Sequence, residues 1–153
     1  MAFTAAIKTN DHEDMLLKAY FQNTYPTDFG GTHTPSSRTI YVGLTTADAG
    51  VSGTQLTSEC QGAAGTNGYA RAGAVANSTN WPVASQQATN GAQLTFGTLT
   101  GGATAQTLTH ASIGSANLSN GVLHYRAALQ TSYAADVGAS PVIDAGDLIV
   151  SEL

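Results

Sequence analysis

Apolar residues change their spacing once along this chain, and the change marks two kinds of structure. Between residues 11 and 23, Met15, Leu16, Ala19 and Tyr20 recur at helical intervals, with Leu17 and Phe21 widening the stripe. Asn10 or Asp11 can cap this segment, and Glu13 and Asp14 suit its positive N-terminal end. Pro26 and the Gly30-Gly31 pair oppose any continuation. The pattern predicts one helix over 11–23. Residues 1–10 hold Phe3 and Ile7 among small and polar residues and read as an N-terminal arm.

From Arg38 onward the period is two. Ile40, Val42 and Leu44 alternate with Tyr41 and Gly43, as in a half-buried strand. Residues 46–68 form a Gly/Ser/Thr/Ala excursion longer than a compact domain usually tolerates, so it reads as a functional surface loop or a hairpin excursion. Further strands are predicted at Tyr69–Val75, Gln93–Phe96, Gln106–Ile113, Val122–Thr131, within 136–144, and at Leu148–Ser151. Trp81-Pro82 marks a corner or edge, because Pro cannot donate to a ladder. Gly101-Gly102, Asn120-Gly121 and Asp144 to Asp147 supply turns, and Asn120-Gly121 signals a hairpin. About seven or eight short strands with turn chemistry between them favour an antiparallel β-sandwich, jelly-roll or Ig-like. An up-and-down barrel is the structural alternative. The expected fold is therefore mainly β with one short N-terminal helix, in a single domain over 11–153.

Composition changes the picture in two ways. Of 153 residues 42% are hydrophobic, but much of that is Ala, and large apolar residues are sparse. At about 25 cal/mol per Å2 of apolar surface removed from water, so lean a core suggests an oligomer that buries more surface between chains. Charged residues are 10% of the chain and the net charge is −5. Lys8, Lys18, Arg38, Arg71 and Arg126 are too few and scattered for the cationic surface that nucleic acid or an anionic membrane requires. Neither an N-terminal signal stretch nor a membrane-length apolar run is present, which predicts a product made in the cytoplasm without a signal peptide.

Candidate chemistry is thin. Gly62 to Gly68 opens no helix and lacks a following Lys, so it is not a phosphate loop. His110 and His124, on consecutive strands, could meet across a hairpin and hold a metal, but no carboxylate stands at matching spacing. Asp136, Asp144 and Asp147 could bind Ca2+, yet they are more simply turn residues. Cys60 is alone, so neither an intramolecular disulfide nor a Cys-based zinc site is expected. No catalytic residues, metal or cofactor are predicted, and the chain reads as a non-enzymatic structural or interaction protein.

The order of segments carries more information than any motif. Tyr41-Val42-Gly43-Leu44-Thr45, Gly68-Tyr69-Ala70-Arg71, Thr109-His110-Ala111-Ser112-Ile113 and Ala145-Gly146-Asp147 follow the helix in turn. Over residues 11–153 this arrangement resembles a family of small tailed-bacteriophage virion proteins labelled tail fibre-like or head decoration (cement) proteins. The resemblance implies a virion structural protein. Our leading expectation from it is a capsid decoration protein on the head surface, a homo-oligomer and specifically a trimer, that binds the major capsid protein and stabilises the shell by mass action. Phe3, Ile7, Met15, Tyr20 and Phe21 would then form a capsid or subunit interface, unless the helix packs on its own sandwich. The alternative is a tail-fibre or receptor-binding module touching host glycan through loop 46–68. An enzyme such as a glycan hydrolase would need paired carboxylates in a cleft, and the Asp and Glu residues concentrate instead in the helix and the last turn.

Overall fold

The computed structural model describes residues 10–24 and 37–151. Its elements are α1 (Asn10–Phe21), β1 (Thr39–Thr45), β2 (Ala72–Val75), β3 (Val83–Ala84), β4 (Gln87–Thr89), β5 (Leu94–Thr95), β6 (Gln106–Gly114), β7 (Leu123–Ala135), β8 (Val142–Ile143) and β9 (Ile149–Ser151). Every strand pairing is antiparallel. The fold is mainly β with one short helix, consistent with the expected β-sandwich. Backbone packing groups the described residues into two compact units. One lies within Met1–Arg38, Ala76–Ala92 and Ala145–Leu153, the other within Thr39–Val75 and Gln93–Asp144.

In the first unit β3, β4 and β9 form a sheet in that order, and α1 packs on β3 and β4. The helix buries the margin of its predicted stripe rather than the centre: Leu17 and Phe21 are buried, Met15, Ala19 and Tyr20 are half-buried and Leu16 is exposed, and the Phe21 ring lies 5.1 Å from that of buried Trp81. Asp14 Oδ1 accepts the Gln86 amide at 2.8 Å, which fixes the helix to the β3–β4 turn. The helix ends before Pro26, because Asn23 adopts a left-handed φ of 55° and the Thr24 amide turns back to the Lys18 carbonyl. The β3–β4 hairpin has no counterpart in the sequence reading. Its turn residues, Ser85 and Gln86, take φ of 52° and 60° without the Gly or Asn that normally announces such a turn. Asn90 holds the C-terminal strand in place: its Oδ1 accepts the Leu148 amide at 2.9 Å.

The second unit contains the sheet β2-β1-β6-β7 and the pair β5-β8. Val42 stands opposite Ala72 on one side and Ile113 on the other, and Ile113 opposite Tyr125. Ile40, Val42 and Leu44 are all buried, as the alternation predicts. Burying each such side chain contributes about 1.5–3 kcal/mol. β7 runs four residues beyond its predicted end at Thr131 because a bulge lets it continue: Leu108 pairs with Tyr133 and His110 with Ala128, so Leu129 to Ser132 face only Thr109. β7 is also an edge strand with no Lys, Asp, Glu or Pro along its length.

Asn120-Gly121 joins the predicted hairpin strands but does not make the predicted turn, since neither residue has positive φ. Gly121 is there for space: a Cβ would lie 2.1 Å from Gln55 Oε1. The left-handed Asn-Gly turn occurs instead at Asn67 and Gly68, closed by the Tyr69 amide on the Thr66 carbonyl. Just beyond it, Gly97 passes so close that a Cβ would lie 2.2 Å from the Gly68 carbonyl oxygen and 2.5 Å from the Ala70 nitrogen. Both are main-chain atoms and cannot swing away. Gly97→Ala should therefore destabilise the protein by about 1–3 kcal/mol in urea denaturation. Gly101→Ala, whose added carbon meets nothing within 4 Å, should leave the midpoint nearly unchanged.

Candidate functional site

The stretch Gly68-Tyr69-Ala70-Arg71 leads into β2 and places Tyr69 and Arg71 in the interior of the second unit, both buried. Arg71 meets Glu59 as a two-pronged ion pair, Nε to Oε1 at 2.6 Å and Nη2 to Oε2 at 2.7 Å, with both side chains 0% exposed. The remaining Arg71 nitrogen, Nη1, donates to the carbonyls of Ala116 at 2.7 Å and Ser119 at 3.0 Å. The Ala64 amide donates to Glu59 Oε2. Tyr69 accepts the Leu44 amide through its hydroxyl at 2.8 Å, and burial pushes its phenol far above the usual range. Gly43 leaves room for this group: a Cβ there would lie 2.8 Å from Ser112 Oγ and 3.2 Å from Glu59 Oε1. An ion pair taken wholly out of water is tolerable only when its other polar atoms are also satisfied, and here main-chain groups do that.

This pair links two surface segments, the excursion 46–68 and the β6–β7 connection 115–122. The excursion is ordered by side chains acting where ladder bonds are missing. Thr109 Oγ1 donates to the Thr46 carbonyl, and Arg126 pairs with Asp48 at the surface. Asp48 is held below the usual carboxylate range first by the Gly50 amide and then by Arg126. Gln55 Oε1 accepts the Ala116 amide at 2.9 Å, while the Gln55 main-chain N–H donates to the Gly121 carbonyl. Gln61 Oε1 accepts the Thr104 amide, its Nε2 donates to the Thr104 carbonyl, and its main-chain N–H donates to Gln106 Oε1. Asn67 reaches the Gly102 carbonyl at 2.9 Å. Sequence reading singled out Arg71 but missed Glu59, Gln55 and Gln61. Arg71 lies 12 positions from Glu59, Thr104 43 from Gln61 and Ala116 61 from Gln55, and no local period encodes such a match.

The tied segments expose apolar side chains at their tips. Val51 is 95% exposed, Leu118 58% and Val122 63%. Ser52, Asn117, Ser119 and Asn120 are exposed beside them in the chain, and neither segment contains an aromatic residue. Exposed aliphatic residues on braced loops suit contact with another surface.

The other predicted positions fall elsewhere. Phe3 and Ile7, with the rest of the arm up to residue 9, lie outside the described residues. Met15 and Tyr20 are half-buried on α1, and Phe21 is buried in the first unit. The Arg38 guanidinium stands 4.6 Å from the Tyr20 ring centre, and burial outweighs it to push the Tyr20 phenol up to about 12. His110 pairs across from Ala128, four positions beyond His124 on β7, so the two rings do not meet; Thr109 Oγ1 is 2.8 Å from His110 Nδ1. Asp144 accepts the Gln93 side-chain amide, and the turn at Gly146 has the positive φ expected of it. Among the described residues no cluster of three His, Cys, Asp or Glu could hold a metal, and no helix is long and apolar enough to cross a membrane.

Residues 12–151 match the family described as Podophage GP4 fiber I protein gp80. The chain belongs to this family of phage fibre proteins. It is thus a bacteriophage virion structural protein, as the resemblance in the sequence implied. The match carries the fibre half of that resemblance; the head-decoration half and a place on the head surface draw no support from it. No curated protein matches the chain.

Two outcomes test the site's physical basis. Arg71→Met strands a buried carboxylate and should cost about 3–5 kcal/mol in chemical denaturation, whereas the double variant with Glu59→Leu should recover most of the loss. Cys60, a buried residue of the excursion, has its thiol raised by burial from its ordinary 9.0 to about 11. The unfolded chain then releases this proton first, so stability is intact below the ordinary value and falls as pH rises through about 11. The denaturation midpoint should drop over that window, less steeply in Cys60→Ala, and native Cys60 should resist thiol reagents at neutral pH.

Proposed function

We propose that this protein is a fibre subunit of the virion, working without catalysis, and that the braced loops 46–68 and 115–122 are the surface it offers to the host cell. The observation that carries the reading is the family match across residues 12–151. The geometry fits it: a buried ion pair holds two exposed loops in fixed relation, which lowers the entropy lost when they engage a partner. Val51, Leu118 and Val122 supply apolar contact, and exposed Ser and Asn residues supply hydrogen bonds. Without aromatic residues in these loops, contact through sugar stacking has no platform, so the surface suits a protein component of the host envelope better than a bare glycan. We take its partners to be that surface and further copies of the chain, in place of the major capsid protein expected from the decoration reading.

Antibody labelling of intact virions should place the protein on a fibre. Purified protein should also compete with phage for adsorption to host cells, and Val51→Asp with Leu118→Asp should weaken that competition by about tenfold or more while the fold is kept. Labelling spread over the head shell, or competition unaffected by the two substitutions, would overturn the proposal.

A further inference from the structure

Three Asn-Gly pairs occur in this chain, Asn67-Gly68, Asn90-Gly91 and Asn120-Gly121. Such a pair is chemically labile, because a Gly nitrogen carries no neighbouring side chain to shield it from the Asn side-chain carbonyl. The fold treats the three differently. Asn90 is 1% exposed, its Oδ1 accepts the Leu148 amide and its Nδ2 donates to the Ala92 carbonyl. The Gly91 nitrogen that would attack it donates to the Asn80 carbonyl at 2.7 Å. Asn67 is held through Nδ2 by the Gly102 carbonyl at 2.9 Å and by Gln61 Oε1 at 3.4 Å. Asn120 is exposed, and its side chain makes no hydrogen bond among the described residues. The Gly121 nitrogen is engaged only with the Ser119 carbonyl two residues back, the bent bond of a three-residue turn.

We propose that Asn120 is a self-modification site, at which the exposed loop converts itself to aspartate or isoaspartate. The Gly121 nitrogen gives its proton to a solvent base and bonds Asn120 Cγ. The Cγ–Nδ2 bond breaks and ammonia leaves with the returned proton, so a cyclic imide remains. Water then opens the ring at either carbonyl. Cleavage of the new Cγ–N bond yields aspartate in an unaltered main chain. Cleavage of the original main-chain bond yields isoaspartate, which routes the backbone through Cγ and lengthens it by one carbon. No electrons are gained or lost.

Both products add a negative charge to loop 115–122. Isoaspartate also displaces the chain between the Ser119 carbonyl, held by Arg71, and the Gly121 carbonyl, held by Gln55. The loop therefore changes with age at the point where the buried network grips it, whatever partner it contacts.

The test is peptide mass spectrometry of the full chain aged in warm, mildly alkaline buffer made with oxygen-18 water, which marks each hydrolysed ring. The Asn120 peptide should take up label at least about tenfold faster than those of Asn67 and Asn90, whose reaction waits on local opening. In denaturant the three rates should converge, and Asn120→Ser should abolish the fastest acidic product. Equal rates in the native protein, an intact Asn120 while Asn67 reacts, or the same lead for Asn120 in denaturant would each overturn the proposal.

Discussion

The arrangement of the second unit depends on one ion pair removed from water. Arg71 and Glu59 are fully buried, and neither could stay charged there without the other. Once paired, they dictate what surrounds them. Gly43 must lack a side chain, Tyr69 must bring its hydroxyl to the Leu44 amide, and the 115–122 loop must present two carbonyls to the free edge of the guanidinium. Two segments with little hydrophobic content of their own thereby become part of a solid structure. A core so poor in large apolar residues could not hold them by burial alone.

That dependence explains which parts were readable in advance. Strands β1 and β6 were visible because Ile40, Val42, Leu44, Ala111 and Ile113 follow a two-residue period that burial enforces. Helix α1 was visible for the same reason at a different period. The β3–β4 hairpin was not, because Ser85 and Gln86 adopt a left-handed turn under tertiary constraint rather than by local preference. Asn120-Gly121 gave a turn signal that was answered differently: the glycine makes way for Gln55. The buried pair was half visible, since Gly68-Tyr69-Ala70-Arg71 stood out as a motif while Glu59 lay unmarked in a polar loop. Nothing short of the folded register brings those two together.

Functional reading shifted in the same direction. The apolar residues of the helix could serve a partner or the protein's own core, and Phe21 is enclosed with Trp81 in the first unit. Val51, Leu118 and Val122, each more exposed than any described aliphatic side chain of the helix, sit on the loops that the ion pair braces. On the proposed reading, loops that meet a target gain from being ordered before contact, and a buried charge network orders them without adding the exposed hydrophobic surface that would promote aggregation.

Amide hydrogen exchange in Arg71→Met, compared with the parent protein under native conditions, addresses the central claim most directly. If the buried pair braces both loops, protection at Gln55, Glu59 and Ala64 and at Ala116 and Gly121 should fall together, while Val42, Leu44 and Ile113 in the sheet stay protected. Loss of protection in only one loop, or an unchanged pattern in both, would contradict it.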